Sequence, residues 1–449
     1  MGGKIAMHAA GRSGPEPGNR GCLGSEPADC GPPLRTDAPE IGGGDAVSRS
    51  VLGWRRRLVA NPVAHVDRAV RGEHARPSGL ENFDLVAANS GGSLVLAGLV
   101  ENLPLIQVVQ YLLDENKRRS IFSPTSSTGD AVLHATLGIG PKYSAAAKLP
   151  AIERLLPKTG DNPLAGSMYG VIGPSGSPVH LLIVGFDYDR NRAVFFRSAP
   201  AGRPGWGEGQ PATVTLAGAV HASTNAPVNY FDAPAALPGA ADRFWDGGIT
   251  GCNNPAVVAV IEAVVLGHAP LDIRLLSLGT ASVALPLAAV GASAGPLEAP
   301  RPTASLVNDL KKLATAILDD PPDAATFIAH AMTGGNAALQ PPIVSRVVRM
   351  SPLISPLPAA GGGWIPPAGW SVAQFQYLCN IDMDAVVQND VTYIDDYCGY
   401  WLADQAPNQP IRMNGTVFDP STPEIGYAKF SEAKAAWQSL FPPLSAAVA

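Results

Sequence analysis

The sequence predicts an α/β protein with a central, mostly parallel sheet flanked by helices and a mainly helical C-terminal extension. Three observations predict this class. Apolar runs rich in β-formers, over residues 83–88, 179–186 and 273–278, alternate with apolar helical stretches over 94–100, 105–113 and 256–266. Such alternation marks a sheet covered on both faces. The chain has 449 residues, 46% of them apolar and 16% charged, which suits a globular protein with a sizeable core. The patterned sequence also sets in abruptly, near residue 83.

Residues 1–48 are rich in Gly and Pro, nearly free of aromatics, and show no period of two or 3.6. That composition buries too little apolar surface to offset ordering entropy, so the segment is expected to be disordered or an atypical N-terminus. A weak helical pattern follows around Val51, Leu52, Trp54, Leu58 and Val59. Residues 49–300 are then expected to form the main α/β domain. Within it, the runs at 179–186 and 193–196 are separated by the polar segment Asp187-Tyr188-Asp189-Arg190-Asn191-Arg192 and predict a hairpin. Residues 281–300 are an apolar connection broken by Gly and Pro. Residues 301–449 are expected to be mainly helical, with Pro-rich breaks at 341–368, and to pack on the same domain. The aromatics of this part, among them Trp370, Phe375, Tyr397 and Trp401, read as core.

Bulk chemistry excludes several classes. The formal net charge is −6, and the one dense basic cluster is Arg55, Arg56 and Arg57, so no nucleic-acid footprint is expected. Five scattered cysteines lack zinc spacing and predict free thiols in a reducing, cytoplasmic setting. No apolar run reaches the roughly 18 residues that a membrane span needs. The acidic positions Asp382, Asp384, Asp390, Asp395 and Asp396 do not follow an EF-hand spacing and read as a solvated helix face.

Three segments carry chemistry. The first is Ala88-Asn89-Ser90-Gly91-Gly92, between the strand at 83–88 and the helix that follows. A serine on such a strand-to-helix turn exposes its Oγ above the sheet edge. The helix N-terminus beside it offers N–H groups, with Gly91 first, to a developing oxyanion. The small residues Gly91 and Gly92 fit the crowded turn. The second segment is Phe244-Trp245-Asp246-Gly247-Gly248, followed by Cys252-Asn253-Asn254-Pro255. Gly247 and Gly248 allow a tight turn, and Asn254 can cap the next helix. The third is Ser277-Leu278-Gly279-Thr280, a strand ending in a glycine turn. Taken singly, the first two are also compatible with a helix cap and an ordinary Asx turn.

Taken together and in this order, these segments resemble the patatin-like lipid acyl hydrolases. The stretch 219–231, Ala-Val-His-Ala-Ser-Thr-Asn-Ala-Pro-Val-Asn-Tyr-Phe, is similar to the family's segment ahead of the aspartate, with Asn225 where alanine is more usual. The resemblance covers residues 83–285 and continues loosely through 303–440. It implies a three-layer α/β/α fold and a Ser-Asp dyad. Ser90 would be the nucleophile, Asp246 the general base, and the reaction a hydrolysis of lipid carboxylic esters through an acyl-enzyme. It implies an ester or lipid substrate, transient contact with a lipid surface, and no metal or organic cofactor. The oligomeric state is not implied.

One motif departs from the family. Its glycine-rich oxyanion loop has Arg-Gly after the glycines, whereas Gly42, Gly43 and Gly44 are followed by Asp45-Ala46-Val47, and no apolar strand precedes them. These glycines are the available candidates for the rest of the oxyanion hole. The departure suggests an altered N-terminus over residues 1–75 joined to an intact body. It also keeps open a catalytically impaired binding or storage protein. A Ser-Asp-His triad using His268 or His330 is a further alternative; His180 reads as a core residue.

Overall fold

A computed structural model describes residues 5–10, 79–125, 140–164, 171–198, 214–301, 324–335, 345–412 and 424–440, with a few positions between 303 and 312. The basic cluster at Arg55–Arg57 and the glycines Gly42, Gly43 and Gly44 lie outside the described residues.

The main sheet has eight strands: β1 (Ile5–Ala10), β2 (Leu85–Asn89), β3 (His180–Asp187), β4 (Arg192–Arg197), β5 (Ala235–Ala236), β6 (Arg243–Asp246), β7 (Ile273–Leu278) and a later strand at Val347–Met350. Its order is β5-β6-β3-β2-β1-β7 and then Val347–Met350, with β4 paired to β3. The sheet is mixed. β2 and β3 run parallel, as do β7 and the strand at Val347–Met350. Because β1 is antiparallel to both β2 and β7, these four central strands share one direction around a reversed β1. β4 and β6 also oppose β3, so the expected mostly parallel sheet holds for that central set and not for the flanks. The 187–192 turn makes β3 and β4 the expected hairpin.

Alternation along the strands explains why both faces are covered. On β2, Val86 and Ala88 enter one apolar cluster while Leu85 and Ala87 enter another. On β3, Leu181 and Ile183 go with the first, Leu182 and Val184 with the second. The first cluster takes in α1 (Gly91–Val100) and, further along the chain, Leu216, Ala217 and Val220. The second packs on Ala256, Ala259, Val260 and Ala263. With helices on both sides, every residue of β2 is buried, which is why its sequence reads as an unbroken apolar run. Further helices include α2 (Leu105–Leu113), α3 (Glu115–Ile121), α4 (Ala145–Leu155), α5 (Leu216–Ser223), α6 (Ala256–Val265), α7 (Val372–Asn380), α8 (Gln388–Leu402) and α9 (Phe430–Leu440).

Two expectations change. Ile5–Ala10 falls inside the 1–48 stretch expected to be disordered, yet it pairs on one side with β2 and on the other with β7. Its strand character comes from these two partners and not from a sequence period, and it closes an edge that would otherwise stand open beside β2. The segment at 341–368 was expected to be only a break between helices. Val347–Met350 instead extends the sheet, so the C-terminal part contributes a strand as well as helices. Its Arg349 is buried because Ser277 and Gln409 accept from its guanidinium. Trp370, Phe375, Tyr397 and Trp401 are core, as expected.

The acidic positions are also more engaged than a solvated face. Asp382 accepts from Lys142 Nζ at 2.5 Å and from Tyr230 Oη at 2.9 Å, and Asp384 accepts from the Tyr143 hydroxyl. These bonds tie the C-terminal part to the loop before α4 and to the segment after α5. Among the described residues, no helix is long and apolar enough to cross a membrane.

Candidate active site

Strand register brings the first two motifs together. β2 and β6 lie end to end along one edge of β3, whose other edge carries β4, with Asn89 opposite Val184 and Asp246 opposite Gly185. The next residue after Asn89 is Ser90, so the two side chains meet where the two strand ends adjoin. Ser90 Oγ donates to Asp246 Oδ2 at 2.6 Å. Both residues are buried, at 3% and 6% exposure.

Each partner is held by its backbone. Ser90 has φ 52° and ψ −131°, a left-handed geometry that a non-glycine residue adopts only under constraint. The constraint is visible. Its N–H donates to Ser223 Oγ at 2.9 Å, and its carbonyl accepts from Ser93 Oγ at 2.6 Å and from Ser93 N–H at 2.8 Å. The strained turn aims Oγ at the aspartate and places Ser90 as the N-cap of α1. The N–H of Gly91, at the first position of α1, has no intrahelical acceptor by geometry alone and lies at the positive end of the helix dipole. Asp246 ends β6. Its N–H donates to Asn225 O at 2.9 Å, and its Oδ1 accepts from Gly248 N–H at 2.7 Å. The carboxylate thus has one oxygen fixed and the other on the serine.

Gly247 is required by close approach. A Cβ there would stand 2.3 Å from Asn89 Oδ1 and 2.7 Å from Val184 O. The Asn-Asn-Pro and Ser-Leu-Gly segments support the same loop. Asn254 Oδ1 accepts from Ala256 N–H at the start of α6 and from Ser277 Oγ, while its Nδ2 donates to Thr326 Oγ1 at 2.6 Å. Asn253 Oδ1 accepts a long, 3.5 Å bond from Asn89 Nδ2.

Burial pushes the Asp246 carboxyl above its ordinary range; the bonds from Ser90 and Gly248 and the charge of Lys148 oppose that rise. A more basic carboxylate 2.6 Å from a hydroxyl is arranged to take its proton. The histidines are elsewhere. His180 Nε2 pairs with Glu262 at 2.9 Å, and His330 Nδ1 bonds Ser345 Oγ at 2.8 Å. The side-chain bonds of Asp246 go to Ser90 and Gly248, so the arrangement is a direct Ser-Asp contact, with neither His268 nor His330 inserted.

Two features escaped the sequence. The helix α5 and the loop after it hold both backbones of the pair, through Ser223 and Asn225. Lys148 and His221, both buried, also stand near the site. No motif in the sequence marks out either side chain. An apolar crevice opens one turn beyond Ser90, lined by Leu94, Ala97, Gly98, Val108, Leu112 and Ile152. Compared with known proteins, the chain matches no family and no curated protein.

Proposed function

We propose that the protein is a serine acyl hydrolase of the patatin-like, three-layer type, cleaving carboxylic esters of lipids. The single observation that carries this reading is the 2.6 Å contact of a strained, buried serine with a buried carboxylate at the N-terminus of a helix. Asp246 takes the Ser90 proton as Oγ attacks the ester carbonyl. The helix-terminal N–H of Gly91 faces the oxygen on which charge develops. The alcohol leaves with the proton, an acyl-enzyme remains, and Asp246 then activates the water that releases the acid. The apolar crevice beside α1 offers an acyl chain a place one turn from the nucleophile. Gly42, Gly43 and Gly44 are the further oxyanion donors in this reading, which includes transient contact with a lipid surface.

The reading sets a pH dependence. The base must be ionised, and burial raises its carboxyl, so activity should rise with pH through a midpoint above the usual carboxylate value of about 3.9. Stability runs the other way. With a folded-state pKa above the unfolded one, Asp246 contributes stability that is fully present below the unfolded pKa and is lost as pH rises through the folded one. Asp246→Asn should therefore remove this pH-dependent part of the stability while losing activity. A panel of p-nitrophenyl esters of increasing chain length, read from pH 4 to 9, tests the reading. Hydrolysis that favours longer acyl chains and falls on the acid side supports it; no hydrolysis of any ester, or a rate that is flat across the range, would refute it.

A further inference from the structure

Lys148 lies in the first turns of α4 and is fully buried. Its Nζ donates to Asn225 Oδ1 at 2.9 Å and sits 4.0 Å from the centre of the Phe231 ring. The other end of the Asn225 amide donates to Ala233 O at 2.8 Å, which fixes the oxygen toward the lysine. The Asn225 backbone carbonyl accepts the N–H of Asp246 at 2.9 Å. One residue therefore anchors both a buried ammonium and the strand end that carries the base. The ring face under Nζ attracts a cation and favours the protonated lysine. A buried carboxylate without a nearby opposite charge is costly, and a cation held beside it offsets that cost.

We propose that Lys148, anchored by Asn225, is the counter-charge that keeps Asp246 ionised inside the closed site, and so is a positioning residue for the dyad. The proposal rests on the reading of Ser90 and Asp246 as that dyad. The neighbouring groups are otherwise engaged. From α5, His221 is held neutral by burial and by the lysine's charge, with Nδ1 unpartnered. From α3, Arg118 donates to Val386 O, Leu112 O and Gln388, Arg119 bonds Glu115, and Lys117 lies over Tyr111. α4 itself adds Glu153 and Arg154 in its last turns. On β3, next to β6, Asp187 is paired with Arg190 and His180 with Glu262. Burial pulls Lys148 below the ordinary lysine range, and Asp246 opposes the pull, so each member of the pair supports the other's charge.

The test uses the full chain with Lys148→Met, which keeps length and removes charge, and Asn225→Ala, which keeps the charge and frees it. Two readouts are taken: the acid limb of kcat/KM on a p-nitrophenyl ester, and the titration of the Asp246 carboxyl by carbon-13 NMR, assigned with Asp246→Asn. In Lys148→Met both midpoints should move up by about one pH unit, with activity recovering at higher pH. Asn225→Ala should move them the same way by less. Unmoved midpoints, or activity lost equally at every pH, would overturn the proposal. If Lys148→Met does not fold, an unmoved midpoint in Asn225→Ala overturns it equally. Should the wild type cleave no ester, the hydrolase reading fails, and the carboxyl titration still decides whether Lys148 governs Asp246.

Discussion

Ser90→Ala should abolish ester hydrolysis, and Asp246→Asn should lower it nearly as far, each by about four to six orders of magnitude in kcat. The two effects should not add. Oγ and the carboxylate share one proton across 2.6 Å, so once either is gone the other has no step to perform. The double variant should therefore be no slower than Ser90→Ala alone. Circular dichroism and thermal melting separate this from misfolding. Ser90→Ala keeps the Cβ and the backbone bonds to Ser223 and Ser93, so its melting temperature should stay within a few degrees of the wild type. A double variant slower by the product of the two single losses would mean that the residues act independently, and the dyad would be wrong.

Gly247→Ala should lose both activity and stability. The added methyl would meet Asn89 Oδ1 at 2.3 Å and Val184 O at 2.7 Å, and the second of these is backbone of β3, which cannot yield easily. Overpacking of this kind costs about 1–3 kcal/mol. The strain has one outlet, a shift of the loop that begins at Asp246, and that loop sets the position of the carboxylate. A displacement of an ångström or so costs roughly a hundredfold in rate. Urea unfolding and ester kinetics on the same variant check both halves. Gly399→Ala serves as the control, because that glycine lies within α8 with nothing near it. Full activity in Gly247→Ala would show that the loop has room the geometry denies it.

Much of the site was legible because its residues are constrained locally. A serine at a strand-to-helix turn and an aspartate before two glycines are patterns set by backbone geometry, and the structure joins them because β2 and β6 meet end to end along one edge of β3. The strands at Leu85–Asn89 and Ile273–Leu278 were legible for a related reason: both are largely buried and four residues of each are apolar. What escaped depends on partners distant in sequence. Ile5–Ala10 has no strand signature of its own and becomes one only between β2 and β7. Val347–Met350 is interrupted by an arginine, which reads as surface until Ser277 and Gln409 are seen to satisfy it. Lys148 is hidden in the same way. No motif marks it out, and only the fold places Asn225 and Phe231 around it. Asn225 itself was visible as a departure from alanine, and the lysine it holds explains why a polar side chain stands there.

The most direct test of the central claim is covalent labelling by a fluorophosphonate, read by intact mass and peptide mapping, with Asp246→Ala beside the wild type. The reagent needs a serine whose hydroxyl is activated by a base in place. A single adduct on Ser90 in the wild type, absent from Asp246→Ala, is the predicted result. An unlabelled Ser90 in the folded wild type, or equal labelling in both proteins, would contradict the dyad.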